Sequence, residues 1–185
     1  MARSLSHASP HSLALSSIAA LVGVLAIGCG QDPSAVGPAV AFNACAPLTL
    51  VPDATATEAQ LAGVAAGAAL WNASAGTELG PASAAGGAIG PAVPIHFQVA
   101  AAPFHGLYDP PDGQIFINDD LTGEELAITI AHEVGHSFGL VHIPPGVRPS
   151  LMNPGNLTVS ITPEDVATLA GLWGRCGSLD AAGTE

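Results

Sequence analysis

The sequence predicts one α+β domain. Three observations indicate this fold class: short apolar stretches that read as strands, two Thr-x-x-Glu/Gln pairs placed to begin helices, and histidines at helical spacing in the second half of the chain. Their order is strand, helix, strands, helix, methionine-containing turn and helix. With 185 residues, the chain is long enough for a single domain with a sizeable core.

The N-terminal part of the chain is expected to lie outside this domain. Arg3 gives a weakly positive start, and residues 13–27 form a largely apolar run that is too short to span a membrane, which predicts a secretion signal. The residues before Cys29 resemble a bacterial lipobox, which implies a lipid on this cysteine; a signal that is simply cleaved is the alternative. The predicted divisions are signal peptide, tether, domain and flexible tail, at residues 1–28, 29–44, 45–176 and 177–185.

Three short stretches have the pattern of strands. Residues 48–51 are apolar apart from one threonine and end at a proline. Apolar and polar side chains alternate over residues 95–99, where His96 is expected on the solvent side, and residues 114–118 form the third stretch. Residues 80–94 are rich in Gly, Ala and Pro and read as a loop.

Capping boxes predict where two helices begin. Thr57 and Gln60 have the required spacing and open an Ala-rich helix that runs to about Trp71. Leu61 is expected on the buried side of this helix, together with the tryptophan. A second pair, Thr122 with the glutamate three residues later, starts the helix that carries the histidines.

This second helix carries the pattern H-E-x-x-H-x-x-G-x-x-H. His132 and His136 are four residues apart, so they lie on one face of a helix and can share a metal ion. Glu133 can reach a water on that ion and act as general base. Gly139 can take a positive φ, and the resulting turn brings His142 back as third ligand, leaving one tetrahedral position open. The pattern predicts one catalytic zinc ion; solvated histidines on an ordinary helix are the alternative.

The motif and the residues after it resemble the metzincin metallopeptidases, most of all the matrixin (matrix metalloproteinase-type) branch. Metzincins place a methionine turn after the third histidine, and residues 150–154, with Met152, are similar to the matrixin pattern L-M-x-P. Residues 161–174 resemble the matrixin C-terminal helix. Astacin-like enzymes have a tyrosine just after the methionine, where this chain has Asn153, and this difference favours the matrixin branch.

The resemblance implies a zincin-like catalytic domain with a small mixed sheet, an active-site helix, a Met-turn and a C-terminal helix. It further implies a zinc endopeptidase whose peptide or protein substrate lies antiparallel to an edge strand, here residues 114–118, beside a pocket walled by residues 153–156. Asp165 is expected either to anchor the last helix to the Met-turn or to cap that helix with Thr162. The alternatives to a peptidase are an inactive zinc-bearing binding lipoprotein and a hydrolase of a non-protein amide in the cell envelope.

Further metal sites are less clearly indicated. Matrixins hold a structural zinc and calcium before the edge strand, and His105 is present there, but Leu107 stands where the family has a ligand aspartate. The sequence therefore does not predict a structural zinc. Oxygen ligands for calcium, or simply turn-forming side chains, are offered by Asp109, Asp112, Asp119 and Asp120.

Cysteine usage is consistent with an oxidising compartment. With Cys29 assigned to a lipid, Cys45 and Cys176 remain as a pair that would tie the two ends of the domain together. The alternative for Cys45 is a latency thiolate on the zinc, as in matrixin propeptides, but the family's surrounding residues are absent.

The charge of the chain restricts its partners. Three basic residues stand against fifteen acidic ones, and the formal net charge is −12. Such a surface repels nucleic acid and anionic lipid head groups, so any attachment to a membrane would require the N-terminal lipid. We expect a monomer that is either a bacterial cell-envelope lipoprotein or secreted.

Overall fold

The computed structural model describes residues 40–81 and 90–177. The predicted signal peptide, the lipobox cysteine, most of the tether and the tail beyond residue 177 lie outside the described residues. The described chain forms strands and helices in the order β1 (Leu48–Pro52), α1 (Glu58–Ala75), β2 (Leu79–Pro81), β3 (Ala92–Gln98), β4 (Gly106–Asp109), β5 (Gln114–Asn118), α2 (Gly123–Ser137) and α3 (Pro163–Trp173). None of these described helices has the length and apolar character needed to cross a membrane.

The strands form one mixed sheet in the order β2-β1-β3-β5-β4, which confirms the predicted α+β class. Every neighbouring pair is parallel except β4 and β5, which pair antiparallel. The prediction that residues 114–118 form the edge strand is wrong, because β5 lies between β3 and β4. The two edge strands are β2 and β4, and the four residues of β4 carry too little periodicity to be recognised before a Pro-rich turn.

All three helices begin where the capping residues predict, and two of them have the complete capping box. The Thr57 side chain accepts from the Gln60 amide and begins α1, which continues past Trp71 and ends at Gly76 (φ 68°). The box of Thr162 and Asp165 likewise begins α3. Thr122 occupies the N-cap of α2, but its side chain makes no cap hydrogen bond, so that predicted box is wrong. The chain enters α2 through a positive φ of 56° at the next residue, a glycine.

Glycines let α1 pack closely against α2. A Cβ at Gly63 would lie 2.4 Å from Leu126 Cδ2, and one at Gly67 would lie 2.8 Å from Ile130 Cγ2. The buried face of α1 therefore contains these glycines, whereas Leu61, expected on that face, is 46% exposed. This close approach brings the fully buried Trp71 under α2, which positions the helix that carries the histidines.

The two ends of the described domain are held together. A disulfide joins Cys45 to Cys176 across 131 residues, with the Cα atoms 4.7 Å apart. The Phe42 amide donates to the Ser137 carbonyl at the end of α2, and Trp173 Nε1 donates to the Phe138 carbonyl. The end of α2 is thus held between the N-terminal segment and the last helix.

Candidate metal centre and active site

Three imidazoles converge at the end of α2. His132 and His136 lie one turn apart on this helix and are 3% and 6% exposed. The Nε2 atom of His142 lies 3.2 Å from that of His132 and 3.1 Å from that of His136. One ligand atom from each ring lies within 4.8 Å of the other two. The structure therefore brings together the three side chains that the sequence predicted as ligands.

A glycine turn delivers the third histidine. The helix α2 ends at Ser137, and Gly139 follows with φ 90°, a conformation that residues with a Cβ rarely adopt. The Leu140 amide then donates to the Gly135 carbonyl, which turns the chain back along the helix. Beyond His142, the Ile143 amide donates to the Met152 carbonyl, so the loop is held at both ends.

The hydrogen bonds of two rings determine which nitrogen carries the proton. His132 Nδ1 lies 2.7 Å from the Leu151 carbonyl, and His136 Nδ1 lies 2.8 Å from the Leu140 carbonyl. Since a carbonyl oxygen only accepts, each Nδ1 donates its proton and each Nε2 presents a lone pair. Both rings thus present their lone pairs to His142.

Burial keeps these rings neutral. Desolvation lowers the pKa of His132 to about 4 and, together with the neighbouring His132, lowers the pKa of His136 to about 3. Burial also lowers the pKa of His142. Neutral imidazoles are the form that binds a metal, so protons do not compete for this site near neutral pH.

The ring geometry fits zinc. Nitrogens about 2.0–2.1 Å from a tetrahedral zinc stand about 3.3 Å from one another, close to the 3.2 and 3.1 Å that separate His142 Nε2 from the Nε2 atoms of the other two rings. The lone pairs of His132 and His136 face His142, and a cation between the three rings would bind all of them. Among the described residues, this is the group of His, Cys, Asp or Glu that could hold an ion. The four aspartates considered for calcium are not gathered into such a group, and calcium gains no support.

Glu133 is held by the edge strand. Its carboxyl is buried, and Oε2 accepts from the Tyr108 amide of β4 at 2.8 Å. Burial raises the pKa of Glu133 to about 8, and the Tyr108 hydrogen bond opposes this shift. Gly106 of the same strand lies against the carboxyl, since a Cβ there would be 2.9 Å from Oε1. Neither contact was predictable from the sequence, because both depend on how β4 crosses α2.

Met152 lies against α2 where that helix has no side chain. A Cβ at Gly135 would stand 2.7 Å from Met152 Sδ and 3.4 Å from Trp71 Cζ2. Gly135 therefore permits this close packing. The methionine is 2% exposed, and its neighbour Leu151 supplies the carbonyl that orients His132. The turn thus positions a ligand through its backbone.

Asp165 fulfils both roles considered for it. Its Oδ2 accepts from the Thr162 amide at the start of α3 and from the Leu151 amide in the Met-turn. Its Oδ1 accepts from Ser150 Oγ at 2.5 Å and lies 3.0 Å from Arg148 Nη2. Burial raises the pKa of Asp165, but these hydrogen bonds outweigh it and the net pKa is lowered. The carboxylate therefore ties the last helix to the turn that orients His132.

His96 differs from its predicted solvent-facing role. Its Nδ1 lies 2.9 Å from Asp53 Oδ1, and its ring stands 5.2 Å from that of Phe116. Asp53 follows β1, and its carboxylate also accepts from the Phe97 amide of β3, so this residue links the end of β1 to β3. His96 has a structural partner and lies outside the three-histidine group.

The chain matches no protein-family model. Its fold is similar to that of the crystal structure of myroilysin, with a TM-score of 0.53 at 14% sequence identity, over 74% of this chain and 86% of that chain. A second structure of myroilysin gives the same TM-score at 12% identity, over 74% and 83%. The chain has a metzincin-type fold. The likeness does not single out the matrixin branch.

The chain also shares a segment with a human protein, "A disintegrin and metalloproteinase with thrombospondin motifs 7". The two are 45% identical over 67 residues, which is 32% of this chain and 3% of the human protein. The chain thus spans a very small part of the curated relative that it matches.

Proposed function

We propose that this protein is a zinc endopeptidase that cleaves peptide bonds in peptide or protein substrates. One observation carries the proposal: the Nε2 atoms of three neutral imidazoles converge beside a buried carboxyl, Glu133, on the same helix. The metzincin-type fold and the shared segment with a metalloproteinase point the same way.

The residues divide the reaction between them. His132, His136 and His142 would hold the zinc ion, which would supply a Lewis acid for the scissile carbonyl and for the attacking water. Glu133 accepts the proton of the attacking water at Oε1 and passes it to the leaving nitrogen. Its other oxygen stays on the Tyr108 amide, so the carboxyl keeps its position while the proton moves.

The edge strand β4 supplies the binding surface for the substrate. An extended peptide can add to an exposed sheet edge by main-chain pairing, and β4 is the strand at this edge. Since β4 touches Glu133 through Gly106 and Tyr108, a peptide paired with it lies next to the catalytic carboxyl. The substrate is therefore expected to pair with β4 and not with residues 114–118, which lie inside the sheet.

The finer assignments rest on sequence features. We assign the protein to the matrixin-like branch because Asn153 follows Met152 where astacin-like enzymes have a tyrosine. The solved neighbours are astacin-like, but an identity of 14% supports the fold alone. We further propose a cell-envelope lipoprotein anchored through Cys29, or a secreted monomer, on the strength of the lipobox-like segment.

Metal analysis combined with peptide cleavage tests the proposal. The purified protein should contain one zinc per chain, cleave members of a peptide library, and lose this activity with a chelator and regain it with zinc. Glu133→Gln should keep the zinc and lose cleavage by about a thousandfold or more. Glu125→Gln, an exposed glutamate on the same helix, is the matched control and should remain active.

The same experiment separates the alternatives. Zinc binding with no cleavage of any peptide would favour the inactive binding lipoprotein. Cleavage of a cell-wall amide in place of peptides would favour the non-protein hydrolase. Full activity in Glu133→Gln would remove this residue as the base.

A further inference from the structure

A small cavity opens beside the candidate base. It is a cleft partly open to solvent, and its volume is about 10 Å³, which is room for about one water molecule. Glu133 and His132 both face it, so it adjoins the groups that act on the scissile bond. Its lining residues are His105, Thr129, His132, Glu133, Gly155 and Asn156.

Two walls of this cavity are rigid. Thr129, His132 and Glu133 are buried residues of α2. On the opposite side, Asn156 Nδ2 donates to the carbonyls of Leu151 and Val159, and its Oδ1 accepts from the Thr158 and Val159 amides. Because the amide group of Asn156 uses both its donors and its acceptor, this wall does not give way without losing several hydrogen bonds.

His105 closes the third side. The Asn118 amide donates to the His105 carbonyl at 2.9 Å, and Asn118 Nδ2 donates to the Phe104 carbonyl at 2.9 Å. The backbone therefore directs where the His105 ring lies. The Nδ1 atom of this ring is buried and makes no hydrogen bond within the described part of the chain. Removing the ring thus enlarges the cavity without breaking a hydrogen bond of that nitrogen.

We propose that His105 is a specificity-determining residue of the peptidase, restricting one substrate position that flanks the scissile bond to glycine, alanine or serine. The inference rests on the proposed function, since it concerns the same site. We place one substrate side chain next to the scissile bond in this cavity, because Glu133 and His132 both line it. A methyl or hydroxymethyl group is about the size of a water molecule and fits, whereas the four carbons of a leucine side chain do not.

Peptide libraries randomised on both sides of the scissile bond test this proposal. The zinc-loaded protein should cleave small residues at one flanking position at least about tenfold faster, in kcat/KM, than leucine or phenylalanine. His105→Ala should raise the leucine-to-alanine ratio at that position about tenfold. His105→Val should give an intermediate ratio. His96→Ala, which changes a histidine outside the cavity, is the matched control and should leave the ratio unchanged.

The results separate this inference from the proposed function. Equal cleavage of large and small residues at both flanking positions by the wild-type protein would overturn the inference and leave the peptidase intact. An unchanged ratio in folded His105→Ala and His105→Val would overturn the role of His105. A zinc-loaded wild-type protein that cleaves no peptide would overturn both.

Discussion

Gly106 of the edge strand lies directly against Glu133 of the active-site helix: a Cβ at Gly106 would stand 2.9 Å from Oε1 and 3.0 Å from Cγ of the glutamate. The strand also holds the other carboxyl oxygen through the Tyr108 amide. Strand β4 therefore sets the position of Glu133, and it can approach the carboxyl because Gly106 has no side chain.

Gly106→Ala should displace the Glu133 carboxyl. The added methyl also meets Thr129 Cγ2 at 2.9 Å, so neither neighbour offers free space. Displacing a catalytic group by a fraction of an ångström to 1 Å costs up to about a hundredfold in rate. We expect kcat to fall about 10- to 100-fold with zinc content unchanged, measured by peptide cleavage and metal analysis. Gly146→Ala, which has nothing within 4 Å of its Cβ, should behave as wild type.

Asp165→Asn should destabilise the whole domain. The substitution removes the charge opposite Arg148 and turns an amide toward the backbone donors of Leu151 or Thr162. Breaking a buried charged network of this kind costs about 2–4 kcal/mol. Urea unfolding of the zinc-loaded protein measures the loss. Glu164→Gln, which changes the exposed neighbouring residue, should cost little, and equal losses in both variants would contradict this role.

Removing the disulfide should lower thermal stability. The bridge between Cys45 and Cys176 closes a loop of 131 residues, and in the chain-entropy model such a constraint contributes about 4 kcal/mol, less where strain opposes it. The variant Cys45→Ser with Cys176→Ser should unfold at a lower temperature than the oxidised wild type. Reductant should lower the wild-type transition toward that of the variant and leave the variant unchanged. A wild type insensitive to a reductant that fully reduces it would contradict the prediction.

In the metal-free protein, the contribution of Glu133 to stability should fall with rising pH, whereas the lowered pKa values of His132 and His136 act in the opposite direction in the wild type and in a Glu133 variant alike. The pKa of Glu133 is about 8 in the folded chain against 4.5 as a free side chain. Between these two values the folded state holds a proton that the unfolded state releases. The resulting contribution to the free energy of unfolding is fully present below pH 4.5 and disappears as the pH rises to 8. Glu133→Gln should remove this pH dependence. The free energy of unfolding of the variant, relative to that of the wild type, should therefore rise by up to about 1 kcal/mol per pH unit over this window. Urea unfolding at pH 5, 6, 7 and 8 measures it; parallel curves would speak against a buried, protonated Glu133.

Local patterns account for what was predictable about the site. The spacing of His132 and His136 is a property of one helix, and the turn at Gly139 follows from what a residue without Cβ can adopt. The capping boxes at Thr57 and Thr162 are equally local, since each involves residues three apart. Such features depend on neighbours within a few residues, and the sequence displays those neighbours.

Other predictions failed because they depended on distant segments. The edge strand was assigned to residues 114–118, and Leu61 was expected in the core. Strand order and helix contacts arise from which segments pair and pack across the domain, and the sequence pattern of one segment is compatible with several such arrangements.

The sequence by itself determined the chemistry of this protein: a three-histidine metal site, an adjacent carboxyl and an α+β domain to carry them. The tertiary structure alone decided which groups orient and enclose these site residues. It placed β4 on Glu133, the Leu151 carbonyl on His132 and His105 against the cavity. The physical reason is distance along the chain: metal ligands on one helix are arranged by its periodicity, whereas the groups that orient and enclose them come from strands and turns that meet only when the core is packed.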